Sequence, residues 1–170
     1  FVFQPGGMGI NFVKQWNQGG MNDLSKLYTV FTVDAVSLPA LKDTALGVIA
    51  TQTWSPDLDN PMNQKFVADY KAKYGGYPSF YAAQAYDTMM AIDYAIGKAG
   101  SADTEAMRAV LAGGGIPTTR GILQMNSNQF PIQNVYLREV VLDSDGVATT
   151  KIIDTVFENH GDAYAKDCKF

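Results

Sequence analysis

Three turns that follow predicted β-strands carry the residues best suited to holding a small ligand. Gly7 and Met8 follow the first strand, Phe31 and Thr32 the second, and Trp54 the third. In open α/β sheets, ligands bind at the carboxyl ends of strands, where helix N-termini offer backbone N–H groups to a carboxylate. Aromatic side chains bury large areas and stack on rings, which suits an apolar or ring-bearing ligand. The alternatives are a plain tight turn at Gly7 and packing of Trp54 beneath its own turn.

The residues that would support other chemistry are absent or wrongly spaced. His160 is the only histidine, and it has no Cys or His at zinc-ligand spacing. Asp57, Asp59 and Asn60 lack the glycine and distal glutamate of a calcium loop, so they predict a solvated turn. The segment PGGMG at 5–9 lacks the spacing of a dinucleotide fingerprint, and no nucleophile–base order is visible. We therefore expect no enzyme activity, no metal and no cofactor.

The composition indicates a globular chain that does not bind nucleic acid. Hydrophobic residues make up 46% of the 170 positions, and the net charge is −4 with no cluster of Lys or Arg. Phosphate contacts need clustered cations, so an acidic chain of this kind is a poor nucleic-acid binder. No apolar run approaches the roughly 20 residues of a membrane-spanning helix. The opening Phe1-Val2-Phe3 is typical of a buried strand, which leads us to expect residues upstream.

The first third of the chain alternates strand and helix. Strands are predicted over 1–4, 27–31 and 47–53, with helices over 8–18 and 34–41 between them. This β-α-β-α-β order predicts a parallel sheet with helices on its faces, and hence an α/β fold.

Three helices then follow one another without a strand between them. They are expected to start at Asn60-Pro61, after the cap Ser79, and at Asp103, and two of them end at glycine clusters. Each has an apolar face that another layer must cover, and this chain supplies no second sheet. Strands over 121–125, 135–142 and 147–156 complete the pattern. We expect the missing cover to come from an N-terminal half of the same protein or from a second chain.

Five segments resemble periplasmic solute-binding proteins of branched-chain amino-acid ABC transporters, and in particular the branch that binds small aromatic acids. They are PGGMGINFVKQW (5–16), FTVDAVSLPAL (31–41), TWSPDLDNPMNQKFVADYKAKYGGYPS (53–79), YAAQAYD (81–87) and NSNQFPIQNVYLREVV (126–141). The resemblance implies a type I periplasmic binding protein with two three-layer α/β/α lobes and a hinge. Residues 1–54 would belong to the second lobe, 55–120 to the first lobe, and 121–170 to the hinge crossing and the return to the second lobe.

The resemblance also implies a site and partners. It places an aromatic ligand contact near Tyr81, with Phe80 as the next choice, and it implies ABC permease subunits and a periplasmic location. The amino-acid-binding members would need a carboxylate near Val30–Thr32, where the nearest acidic residue is Asp34. This departure favours a benzoate- or cinnamate-type acid. A branched-chain amino acid, a ligand-sensing receptor domain of the same fold, and an α/β enzyme with catalytic residues upstream are the alternatives.

Overall fold

The first third of the chain forms the predicted parallel sheet in the computed structural model, which describes residues 1–168. Strand β2 lies between β1 and β3, with Val2 opposite Thr29 and Tyr28 opposite Ile49. The elements are β1 (Val2–Phe3), α1 (Gly7–Gln18), β2 (Tyr28–Val30), α2 (Leu38–Leu41) and β3 (Ile49–Gln52), with 3-10 turns at Met21–Asp23 and Lys42–Ala45. The β-α-β-α-β prediction is confirmed. The expectation of a buried opening strand is wrong for this chain, because β1 is the edge strand of the sheet and Phe1 and Phe3 are 89% and 59% exposed.

Helix α2 begins four residues later than predicted. Asp34 Oδ1 accepts a hydrogen bond from Val36 N at 2.9 Å, and the Ser37 hydroxyl donates to Thr32 O at 3.0 Å. Side chains of this kind compete with the helix for backbone groups and favour turns. Residues 32–37 are therefore a turn that projects beyond β2, and Asp34 caps this turn instead of a helix.

One apolar cluster holds α1 and α2 against the parallel strands. Its buried members are Val13, Leu27, Val33, Leu38, Leu41, Ala45, Val48, Ala50 and Val140. Gly9 allows the close approach of α1, because a Cβ there would collide with the carbonyl oxygen of Gln4 at the end of β1. The start of α1 is thus packed directly over the strand end that the sequence assigns to the ligand site.

The three consecutive helices are α3 (Pro61–Tyr74), α4 (Phe80–Ala99) and α5 (Thr104–Ala112). Each has the predicted N-cap: Asn60 Oδ1 accepts from Met62 N, Ser79 Oγ from Ala82 N, and Asp103 Oδ1 from Ala106 N. These bonds satisfy N–H groups that have no partner inside the helix. Helices α3 and α4 end at glycines with a left-handed backbone, which L residues with a Cβ adopt at a cost.

A second apolar cluster joins α3, α4 and the turn after β3. It contains Trp54, Phe66, Phe80 and Ala83, with partly buried neighbours around them. The opposite face of α4 remains open within residues 1–168: Met89 is 64% exposed, and Ile92 and Ile96 are more than one-third exposed. The predicted apolar face of α4 is therefore uncovered in this chain.

The C-terminal strands are β4 (Ile116–Thr118), β5 (Gly121–Met125), β6 (Pro131–Leu142) and β7 (Ala148–His160), followed by a 3-10 turn at Ala165–Asp167. Strand β4 was not predicted, and β6 and β7 are longer than expected. Strand β6 connects the parallel strands to the other C-terminal strands. It pairs antiparallel with β3 through Tyr136–Glu139 and with β5 through Pro131–Ile132. Its ladder with β7 is irregular, with register shifts between Gln133 and Arg138.

A buried ion pair fastens α4 to these strands. Asp87, 3% exposed, accepts hydrogen bonds from Thr119 N at 2.7 Å, Thr119 Oγ1 at 3.1 Å and Arg120 Nε at 3.1 Å. Arg120 also donates to the side chain of Gln133 on β6. Both oxygens of the Asp87 carboxylate thus accept hydrogen bonds, so this network has a structural role.

Candidate ligand-binding site

A cavity of about 130 Å³ lies between the turn after β2 and the first turn of α4. Four predicted site residues line it together: Phe31 and Thr32 from the turn, and Phe80 and Tyr81 from the helix. Its other lining residues are Gly6, Ile10, Val33, Asp34, Val36, Ser37 and Gln52. The cavity therefore sits at the carboxyl ends of parallel strands, where ligands of open α/β sheets bind.

Aromatic rings form one wall of this cavity. Phe31 lies between Phe3 and Phe80, with ring centroids 6.1 and 5.5 Å away, and Phe80 lies 5.4 Å from Tyr81. These separations fall in the range of attractive ring–ring contacts. Phe80 is buried, whereas Phe31 is 42% and Tyr81 56% exposed. The two exposed rings can therefore accept a further ring from a ligand.

The backbone of Phe31 has an uncommon conformation. Its φ of 54° lies in the left-handed region, where a bulky residue is a genuine outlier and strain accumulates. The turn after β2 holds this conformation, because Ser37 bonds the carbonyl of Thr32, and Thr32 Oγ1 donates to Val30 O at 3.2 Å. This left-handed conformation turns the chain away from the strand direction, and the Phe31 ring lies beside Phe80.

Asp34 joins the two walls of the cavity. Its Oδ1 accepts from Val36 N at 2.9 Å in its own turn, and its Oδ2 accepts from Phe80 N at 3.3 Å at the start of α4. Negative charge is favourable at a helix N-terminus. The carboxylate that the sequence placed nearest the site is thus present in its wall, with a backbone N–H on each oxygen. The contact spans 46 positions of sequence, so no local pattern could have revealed it.

Gln52 is a site residue that the sequence reasoning missed. It ends β3, is only 5% exposed, and lines the cavity. Its side-chain Oε1 accepts from Thr53 N at 3.0 Å, which leaves the amide nitrogen as the donor of this side chain. Its position at the end of a predicted strand, immediately before the turn that contains Trp54, was a signal that could have identified it.

A buried cation lies behind this wall. Arg138 on β6 is 1% exposed, and its Nη1 donates to Thr150 Oγ1 at 3.2 Å. Burial lowers the pKa of Arg138 to about 10, and the charges of Asp34 and Asp57 partly oppose that change. Arg138 and Asp34 line a common small cavity of about 10 Å³, so Asp34 borders both this cavity and the larger one.

The other predicted site residues are not part of the cavity wall. Met8 is 69% exposed on the first turn of α1, and a Cβ on Gly7 would meet open space. Trp54 is 2% exposed, and its Nε1 donates to Asn63 Oδ1 at 2.7 Å. The structure therefore places Trp54 in the second apolar cluster, which corresponds to the packing alternative weighed for this residue.

Residues 1–168 contain no group of three or more His, Cys, Asp or Glu side chains arranged to hold a metal ion. Among the described helices, none combines the length and apolar character that crossing a membrane requires.

The family model "Periplasmic binding protein" matches residues 1–146. A Leu/Ile/Val-binding protein homologue of Brucella melitensis is 34% identical over 170 residues, which covers 95% of this chain and 43% of the relative. The chain belongs to this periplasmic binding protein family, as the sequence motifs predicted. It spans less than half the length of the curated relative.

Solved structures show the same fold. A solute-binding protein of an ABC transporter from Rhodopseudomonas palustris BisB5, in complex with 3,4-dihydroxybenzoic acid, matches with a TM-score of 0.82 and 31% identity, covering 96% of this chain and 46% of that one. A solute-binding protein from R. palustris in complex with benzoate matches with a TM-score of 0.82 and 26% identity, covering 99% and 46%. The predicted type I binding-protein fold is confirmed. Both of these relatives are solute-binding proteins of ABC transporters.

Proposed function

We propose that this chain is the C-terminal half of an extracytoplasmic solute-binding protein that delivers a small aromatic carboxylic acid to an ABC importer. The observation that carries the proposal is the cavity wall. Two exposed rings, Phe31 and Tyr81, stand beside a carboxylate, Asp34, whose oxygens both accept backbone hydrogen bonds. Such a wall suits the ring of a ligand, and the backbone N–H groups of Val36 and Phe80 already use one acceptor site on each Asp34 oxygen.

The same feature separates the two ligand classes that the relatives represent. An α-amino acid brings an ammonium group that needs a counter-ion, because a buried unpaired charge is strongly unfavourable. Asp34 is the acidic residue of this cavity wall, and it already accepts from Val36 N and Phe80 N, so an ammonium group would share its oxygens with these two donors. The amide donor of Gln52 can instead bind an oxygen of an aromatic acid. Benzoate-type ligands therefore fit this wall better than leucine does.

We further propose that the chain contributes to two lobes. Residues 1–54 would be part of the second lobe, 55–120 part of the first, and 121–170 the hinge crossing and return, of which 169 and 170 lie outside the described residues. Two facts support this division. The two apolar clusters share no residue, with the boundary residue Trp54 in the second, and β6 pairs directly with β3 of the first part and reaches β4 of the second part through β5. Closure of the lobes would then trap the ligand.

The remaining half of each lobe would come from a preceding segment of the same protein. The known relatives are more than twice as long as the matched region, and the apolar face of α4 around Met89 is uncovered here. In this proposal the full-length protein is periplasmic, it contacts permease subunits, and its preceding half supplies the groups that bind the ligand's carboxylate.

Calorimetric titration of the full-length protein tests the function. We expect saturable binding of benzoate or 4-hydroxycinnamate and much weaker binding of leucine. Tyr81→Ala should weaken aromatic-acid binding by about tenfold, since a ring–ring contact contributes about 0.5–1.5 kcal/mol beyond area burial. Tyr74→Ala is the matched control, because Tyr74 is 63% exposed and lies on α3 outside the cavity wall. Binding of leucine with no response to aromatic acids would establish the amino-acid alternative and overturn the proposal.

A further inference from the structure

The guanidinium of Arg138 is buried without full satisfaction of its donors. Its Nη1 donates to Thr150 Oγ1, but its Nε has no hydrogen-bond partner among residues 1–168. A buried charge of this kind is costly unless opposite charge compensates for it. Carboxylates near Arg138 can supply this opposite charge, and the charge of Arg138 acts on them in return.

Two carboxylates from separate turns provide the compensating charge. Asp34 lines a small cavity of about 10 Å³ together with Arg138. Asp57 in the turn before α3 is held by the Ser55 hydroxyl and by Ile152 N at 2.9 Å. Both raise the pKa of Arg138 against the effect of burial. Of the two, only Asp34 also lines the larger cavity that carries the aromatic wall.

We propose that Arg138 is a positioning residue that sets the charge preference of the site. The two side chains make no direct ion pair, so the Arg138 charge compensates the Asp34 carboxylate across their shared cavity while Phe80 N anchors that carboxylate at the N-terminus of α4. A ligand's ammonium group on the other side then finds no uncompensated anion. The inference rests on the proposed function and deepens it, because it assigns the rejection of amines to a residue that does not touch the ligand cavity.

The physical basis is the low dielectric around the pair. Charges interact several times more strongly inside a protein than in water, so the cation behind the wall contributes to the field at Asp34. Replacing Arg138 with Met preserves much of the side-chain volume but removes the charge. Asp34 would then be an uncompensated anion at the cavity edge, and an ammonium group would become its best available counter-ion. Arg138→Lys keeps a positive charge and should retain the preference.

The experiment compares benzoate and leucine binding to the full-length protein by calorimetry. In Arg138→Met, we expect the ratio of the leucine Kd to the benzoate Kd to fall at least tenfold. Arg138→Lys should leave this ratio within about threefold of the original value. In an Asp34→Asn background, where no carboxylate is left to release, Arg138→Met should not change the ratio further. An unchanged ratio in Arg138→Met, or the same fall in the Asp34→Asn background, would overturn the proposal.

A second readout needs no ligand and remains informative if the proposed aromatic-acid function is wrong. The Phe80 amide donates to Asp34, just as the Ala106 amide donates to the cap Asp103 on α5. In Arg138→Met, amide hydrogen exchange should accelerate severalfold at Phe80 and remain unchanged at Ala106. Equal acceleration at both amides would show a general loss of stability and refute the positioning role. If Arg138→Met does not fold, Arg138→Gln, which also removes the charge, should give the same local effect at Phe80, and its absence would refute the role as well.

Discussion

The two tryptophans of this chain allow a direct measurement of what the buried hydrogen bond of Trp54 contributes. Trp54 Nε1 donates to Asn63 Oδ1 at 2.7 Å, whereas the buried Nε1 of Trp16 has no partner among residues 1–168. Substitution of each by Phe removes one indole N–H in two different situations. The contrast tests whether Trp54 is a structural residue or a wall of the ligand cleft.

The expected magnitude for Trp54→Phe follows from two losses. Asn63 is fully buried, so leaving its Oδ1 without a donor costs about 1–3 kcal/mol. The shorter side chain leaves roughly 40 Å³ unfilled, which costs about 1 kcal/mol at about 24 cal/mol per Å³. Trp54→Phe should therefore lower the free energy of unfolding by about 2–4 kcal/mol. Trp16→Phe loses packing but also removes an unsatisfied donor, and it should lower that free energy by about 1 kcal/mol or less.

Urea unfolding of the full-length variants, followed by far-UV circular dichroism, measures this difference. At a slope of about 2 kcal/mol per molar urea, the midpoint of Trp54→Phe should lie about 1 M below that of Trp16→Phe, with equal slopes. Coincident midpoints would refute the reasoning. Unchanged stability with loss of benzoate binding in Trp54→Phe would instead place Trp54 in the cleft, as the sequence first suggested.

Two further predictions concern charged groups. Asp87→Ala should lower the free energy of unfolding by about 3–5 kcal/mol, because it leaves the largely buried Arg120 without its carboxylate. The control Asp69→Ala breaks an exposed ion pair on α3 and should change this free energy by less than about 1 kcal/mol. Urea unfolding measures both values. A backbone N–H of the β6–β7 turn and the Tyr77 hydroxyl lower the pKa of Asp143 below its ordinary 3.8. The stabilisation from Asp143 is therefore complete above that value and is lost as pH falls through the lower folded-state pKa, so thermal melts of Tyr77→Phe should show a weaker acid dependence below pH about 4 than the unaltered protein does. An identical acid dependence in the two proteins would contradict the assignment.

The features predicted well from the sequence were those fixed by local chemistry. Asn60-Pro61, Ser79 and Asp103 each start a helix where a side-chain oxygen can accept an N–H of the first turn, and such signals need only three or four residues. The parallel order of the first three strands followed from the intervening helices. Strand β4 escaped prediction because it has only three residues, one of them Pro117, which is too short a stretch to show a pattern in the sequence.

The candidate site was predicted only in part, for a physical reason. Phe31 and Tyr81 could be assigned to strand and helix ends, and the fold brings such ends together. The environment of Asp34 depends on residues far away in the sequence, because it bonds Phe80, 46 positions away, and shares a small cavity with Arg138. Trp54 packs in the second cluster, and its position after a strand did not reveal this. Periodicity does not report which apolar residue faces a cavity and which faces the core.

The irregular ladder along β6 has a mechanical consequence. Regular cross-strand hydrogen bonds make a sheet stiff, whereas a bulge leaves residues unpaired and lets the strand bend and twist locally. The register shifts lie between Gln133 and Arg138: the first two fall at 133–136, where β6 passes from its pairing with β5 to its pairing with β3, and the last falls within the β3-paired part. Bending of this twelve-residue strand is therefore concentrated in a short compliant segment between two stiffer arms.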